Sequence, residues 1–131
     1  MASDRFGLDE LKSQGTPIRA LVDANIPVAL STDNVPHSML FAMWQALSRW
    51  DNDSKTRLGQ SNLTREEALR LSTVTGHALT WDEGNRGPLE AGKAADFVVL
   101  ADETCAEDKI KDIAVERTFV GGKEVFSSPA L

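Results

Sequence analysis

Up to about residue 84 the apolar residues fall at helical spacing, and beyond it they gather into extended runs between tight turns. Thr16-Pro17 has the form of a helix start, with Thr16 as N-cap and Pro17 at the first helical position. Ile18, Leu21 and Val22 then share one face, and Asn25 is a C-terminal stop. Ile26-Pro27-Val28-Ala29-Leu30 follows as a continuous apolar run leading into Ser31-Thr32-Asp33-Asn34. It predicts a strand buried on both faces, parallel in type, with Pro27 at its start where a missing N–H is tolerated. Pro36-His37-Ser38 opens a second helix, along which Met39, Met43, Leu47 and Trp50 recur at roughly helical spacing. Asp51 to Asn62 is polar and reads as a loop.

Thr64-Arg65-Glu66-Glu67 fits a capping box, in which Thr64 bonds the helix backbone and Glu67 returns the bond. The helix it opens carries Ala68, Leu69, Leu71 and Ser72, breaks near Thr75-Gly76, and is followed by a short helical piece from His77 to Trp81. Asp82 to Arg86 is a connecting turn. From Pro88 the signals are β: Phe97 to Leu100, Val115 to Val120 and Lys123 to Phe126 read as strands. Gly121-Gly122 joins the last two as a two-residue hairpin, since both central residues of a type I′ turn need positive φ. Ala101 to Asp112 is acidic and loop-like, with one helical turn around Glu107 to Lys111. The pattern divides the chain near Gly84 to Gly87 into an α/β unit, residues 1–84, and a small antiparallel β-unit, residues 85–131. The apolar strand around Val28 to Leu30 lacks a second parallel strand in the sequence, which leaves its backbone groups and faces without partners.

Composition narrows the function classes. A chain of 131 residues with 41% hydrophobic and 26% charged residues is long enough to bury a core. Its net charge of -6, with fourteen scattered Lys and Arg, argues against nucleic acid or an anionic membrane as partner. Met1 to Gly15 has no apolar core of the secretory kind, and Met39 to Leu47 is too short to span a bilayer. Cys105 is single, which excludes an internal disulfide. A cytoplasmic location is the expectation.

The chemistry-bearing residues are few. Asp33 sits just past the C-terminal end of the predicted buried strand, where α/β folds place active groups; its alternative role is an N-cap or Asx-turn before Pro36. His37 follows in the same loop and is either a substrate contact or a surface residue at a helix start. Arg49 can anchor an anion or simply suit the end of a helix, and His77 lies inside a helical segment. Trp44, Trp50 and Trp81 read as core or partner-facing residues, and Cys105 has no base near it in sequence.

The stretch Arg86-Gly87-Pro88-Leu89-Glu90-Ala91-Gly92-Lys93-Ala94-Ala95-Asp96-Phe97-Val98-Val99-Leu100 carries most of the identifying information. Physically it is a turn, an extended piece, a second tight turn at Gly92-Lys93 and a buried strand, with Asp96 placed to bond the turn before it. It resembles the G-x-L-x-x-G-K-x-A-D-hydrophobic segment near the C-terminus of the amidohydrolase superfamily of metal-dependent hydrolases. Val28-Ala29-Leu30-Ser31-Thr32-Asp33, Ala46-Leu47-Ser48-Arg49 and Leu63-Thr64-Arg65-Glu66-Glu67-Ala68-Leu69 fit the same family, in the branch that hydrolyses N-substituted amides and formamides.

The resemblance implies the last part of a (β/α)8 barrel over residues 1–84 and part of a β-sandwich-like domain over residues 85–131. It implies Asp33 as both metal ligand and proton-transfer base, a divalent cofactor (zinc first), and a small amide-type substrate that His37 could reach. The metal lowers the pKa of its water to about 7, the hydroxide attacks the carbonyl, and Asp33 passes the proton to the departing amine. The chain holds two His and no His-x-His, so most ligands of such a site are missing from it. Alone it is therefore expected to be inactive. The missing N-terminal portion would complete it; the alternatives are a non-catalytic interaction module, with self-association or a partner covering the apolar strand, and a subunit of a split enzyme whose remaining barrel strands come from another polypeptide.

Overall fold

A computed structural model describes residues 7, 9, 10, 12, 15–33, 36–52, 54–59, 63–101 and 109–129. Helix α1, Ile18–Asp23, begins one residue later than its sequence suggests: Pro17 is the N-cap, no side chain caps the helix, and Thr16 sits at φ 50°. Its end is as expected. Asn25 adopts φ 55°, its N–H donates to the Val22 carbonyl at 3.0 Å, and the Ile26 N–H donates to Leu21 at 3.0 Å. These two bonds are the paired closure of a Schellman motif, with Asn in the left-handed position.

The run after it departs from the prediction. Ile26 to Leu30 joins no sheet among the described residues, and Ile26 is 50% exposed. No parallel strand is present to pair with it among the described residues, and three of its five backbone positions have no donor to offer one. The Ile26 N–H is spent on α1, Pro27 has none, and the Leu30 N–H donates at 2.9 Å to the carbonyl of Leu71. The run is therefore tethered at both ends to helices.

Helix α2, Met39–Ser48, starts at Ser38, whose hydroxyl accepts the Phe41 N–H at 3.3 Å, and ends at Arg49 in the left-handed region, φ 54°. It buries Ala42, Met43, Ala46, Leu47 and Ser48 on one face. Trp50 falls outside it, in a two-residue strand β1, Trp50–Asp51, paired antiparallel with β2, Thr56–Arg57. A plain loop was expected here. The Asp51 carboxylate closes the hairpin by accepting the Ser54 N–H at 2.8 Å and its hydroxyl at 2.5 Å. Helix α3, Arg65–Ser72, has the predicted capping box: Thr64 accepts the Glu67 N–H at 3.1 Å and Glu67 accepts the Thr64 N–H at 2.8 Å. Helix α4, Gly76–Thr80, follows the predicted break and ends at Trp81, φ 59°, which is 90% exposed.

The β-unit is a three-stranded antiparallel sheet in the order β3, Phe97–Leu100, β4, Val115–Val120, and β5, Lys123–Ser127. The hairpin turn forms at Gly121 and Gly122, with φ 57° and 76°, and pairs Val120 with Lys123. Phe97 stacks on Phe119 at 4.5 Å between ring centres. Val98 is 51% exposed, so β3 is covered on one face and not on both. The carboxylate of Asp96 also goes elsewhere than expected: it accepts the N–H of Gly121, in the hairpin turn, at 2.6 Å.

The core is built from Met43 and Leu47 of α2, Ala68 of α3 and Ile110, with Leu30, Leu40, Trp44 and Leu63 packed around them. Ile110 opens a 3-10 turn, Ile110–Asp112, which is the described part of the helical turn expected over Glu107 to Lys111. Residues 102–108, Cys105 among them, lie outside the described residues, as does Asn34.

Candidate functional site

Asp33 stands at the end of the Ile26–Leu30 run in the left-handed region, φ 46°. Its backbone N–H donates to the Ser31 hydroxyl at 3.4 Å, and the residue is exposed. The cap of α2 is Ser38, so the helix does not use Asp33 for that purpose. The carboxylate has no hydrogen bond or ion pair among the described residues. Asp tolerates the left-handed region better than most residues, because its short side chain can bond locally; here that compensation is absent from the carboxylate. His37 is exposed and precedes the cap of α2. Residues 34 and 35 between the two lie outside the described residues.

Beside the run lies an open cleft of about 300 Å³, at the small end of the range for ligand sites. Leu30 and Ser31 form one wall, Ala42, Gln45 and Ala46 of α2 with its cap Arg49 another, and the rest includes Thr16, Ile18, Trp50, Asp51 and Leu58. Asp33 and His37 do not line it. Arg49 is occupied: it donates to the Thr16 carbonyl at 2.8 Å and to the Leu58 carbonyl from Nε at 3.3 Å and Nη2 at 3.2 Å. Its role is to tie the segment before α1 and the residue just after β2, Leu58, to the end of α2. No sequence signal announces this, because backbone carbonyls as acceptors leave no trace in residue identity.

His77 and Trp81 lie on α4 and at its C-cap, apart from the cleft lining. Trp44 lies between Phe41 at 5.3 Å and Trp50 at 6.4 Å, its ring tilted to both by 47° and 43°, with the Lys111 ammonium 5.7 Å from its ring centre. Trp44 thus packs against the core, whereas Trp81 is 90% exposed and takes no part in it. A resident divalent metal fits poorly: among the described residues no three His, Cys, Asp or Glu side chains come together. A catalytic zinc takes three protein ligands, of which the expected Asp33 would be one.

Two electrostatic links brace the surroundings. Arg19 of α1 pairs with Asp23 at 2.6 Å and with Glu67 of α3 at 2.8 Å. The Thr64 N–H donating to it, with the Arg19 guanidinium alongside, holds the Glu67 carboxyl below its ordinary range. The second link joins Arg86 to Asp82 at 3.0 Å and to Asp96 at 3.1 Å.

Comparison with known proteins adds context to this geometry. The amidohydrolase family model matches residues 1–126. The chain is 30% identical over 110 residues to N-substituted formamide deformylase of Arthrobacter pascens, covering 81% of this chain and 20% of that protein. It is 34% identical over 95 residues to imidazolonepropionase of Syntrophobacter fumaroxidans, covering 69% of this chain and 20% of that one. The fold resembles the crystal structure of an amidohydrolase from Thermotoga maritima, with TM-score 0.64 and 24% identity over 85% of this chain and 26% of that chain. The chain thus spans about a fifth of the length of these curated relatives.

Proposed function

Because the chain belongs to the amidohydrolase family, which it matches over residues 1–126, we propose that it forms the C-terminal part of a hydrolase for carbon–nitrogen bonds in small, non-peptide amides. The carrying observation is Asp33: an exposed carboxylate at the end of the Ile26–Leu30 run, outside the cap of α2 and without a partner among the described residues. A carboxylate so placed is available as a general base, taking a proton from the attacking water and returning it to the departing amine. His37, on the same loop, donates to or orients the substrate carbonyl. The N-substituted formamide deformylase likeness favours a formamide or related amide as substrate.

The described residues do not assemble a metal site, so on this reading the chain alone is inactive and the missing ligands come from another stretch of polypeptide. A chimera in which this chain replaces the matching fifth of the Arthrobacter pascens protein tests the role of Asp33. Formate release from an N-substituted formamide should fall about 100-fold or more in Asp33→Asn, as for a lost general base. An unchanged kcat would remove Asp33 from the reaction. In the chain itself, Asp33→Asn should leave urea stability within about 0.5 kcal/mol, whereas a loss near 1 kcal/mol would mark a structural cap.

A further inference from the structure

The two central amides of the β4–β5 turn are both taken, and by consecutive residues. Gly121 donates to the Asp96 carboxylate at 2.6 Å, and Gly122 donates to the Ala95 carbonyl at 2.9 Å. In a two-residue hairpin these amides lie outside the strand ladder, so nothing in β4 and β5 themselves requires partners for them. The other oxygen of Asp96 accepts from Arg86 at 3.1 Å, and Arg86 holds Asp82 at 3.0 Å. Asp82 is bound in turn to the end of α4, its N–H donating to the His77 carbonyl at 3.2 Å. The arm between is pinned twice more: Ala94 donates to the Asn85 carbonyl at 2.8 Å, and the Asn85 amide to the Asp82 carboxylate at 2.7 Å.

We propose that Asp96 is the pin of a clasp, through which the seating of the Asp82–Ala95 arm beside α4 and the closure of the Gly121–Gly122 turn become one conformational event. The carboxylate has two oxygens and serves one side with each. A break on the Arg86 side frees the carboxylate to rotate, and the Gly121 amide loses its acceptor although no atom of the hairpin has changed. Hydrogen bonds to an ionised acceptor are worth more than neutral ones, so the coupling is large enough to read.

Native-state amide exchange on the full chain tests this. In the wild type Gly121 and Gly122 should exchange well below the rate of an open peptide. In Arg86→Gln, at a residue 35 positions before Gly121 in the sequence, Gly121 should exchange about 5- to 10-fold faster. The central amides of β4, Arg117 to Phe119, should change little. Asp96→Asn keeps an oxygen for Gly121 but loses the charge that holds Arg86, so adding Arg86→Gln to it should have no further effect on Gly121. Gly121 exchange unchanged within about twofold in Arg86→Gln would overturn the coupling, as would an unprotected Gly121 in the wild type. If Asp96→Ala unfolds the β-unit, the Arg86→Gln and Asp96→Asn pair still decides the matter, since both retain an acceptor at position 96.

Discussion

Ile110 is the residue on which the packing argument can be broken most directly. It is 1% exposed, in a three-residue 3-10 turn, and meets Met43 and Leu47 of α2 and Ala68 of α3. Replacing it with Ala removes the carbons beyond Cβ, at about 0.8 kcal/mol each, for roughly 2.4 kcal/mol of lost transfer energy. The cavity left among these side chains adds about 1 kcal/mol more, because helices pinned by Arg19 and Arg49 collapse only in part. Ile110→Ala should thus cost about 3–4 kcal/mol and Ile110→Val about 1 kcal/mol. In urea, with a slope of about 1.5 kcal/mol/M for a chain of this size, the midpoint should fall by roughly 2 M. Tryptophan fluorescence is the apt probe, since Trp44 packs against this cluster. Val98→Ala, at a site 51% exposed, serves as the control and should cost under about 1 kcal/mol. If Ile110→Ala costs no more than Val98→Ala, Ile110 does not anchor the core and the packing described above is wrong.

Two further outcomes follow from the local structure. The Glu67 carboxyl is held low, so its contribution to stability is complete above the unfolded carboxyl value and is lost as pH falls through the lower folded value. Urea midpoints measured across the acid limb should show this loss in the wild type and not in Glu67→Gln, while Thr64→Ala should cost about 1 kcal/mol at neutral pH. Gly92 sits at φ 93° with open space where a Cβ would point, so Gly92→Ala should lose about 1 kcal/mol to backbone strain alone; Gly76→Ala, at the start of α4 with equal space and no positive φ, should be neutral or stabilising in a thermal melt.

Legibility in the sequence followed the range of the interaction. Thr64 and Glu67 close their box within one helical turn, and the positive φ that Gly121-Gly122 permits marks the turn of its hairpin, so both were readable. Ile110 was not: a single apolar residue in a short turn beside an acidic stretch has no period to detect. The β1–β2 ladder escaped for a similar reason, being two residues to a strand. Asp96 looked like a local turn residue, but its partner lies 25 positions away. The run before Asp33 was readable as apolar and extended, yet its pairing is decided by where the carbonyls of Leu21 and Leu71 happen to lie. The position of Asp33 just past that run was legible, though it does not line the cleft; Gln45 and Ser31, which do, were not, because neither belongs to any motif.

The small sheet meets a passing strand differently at its two edges. β5 carries Lys123 and Glu124, is bent where Val125 bulges opposite the Thr118–Phe119 step, and is followed by Pro129. Charge, bulge and proline each discourage the addition of another strand. β3 offers Phe97-Val98-Val99-Leu100, free of charge, glycine and proline, and its outer side has no neighbour among the described residues. The β5 edge is guarded three ways and the β3 edge by its four-residue length, so of the two β3 is the more open to a passing strand, with the net charge of -6 as the general restraint on self-assembly.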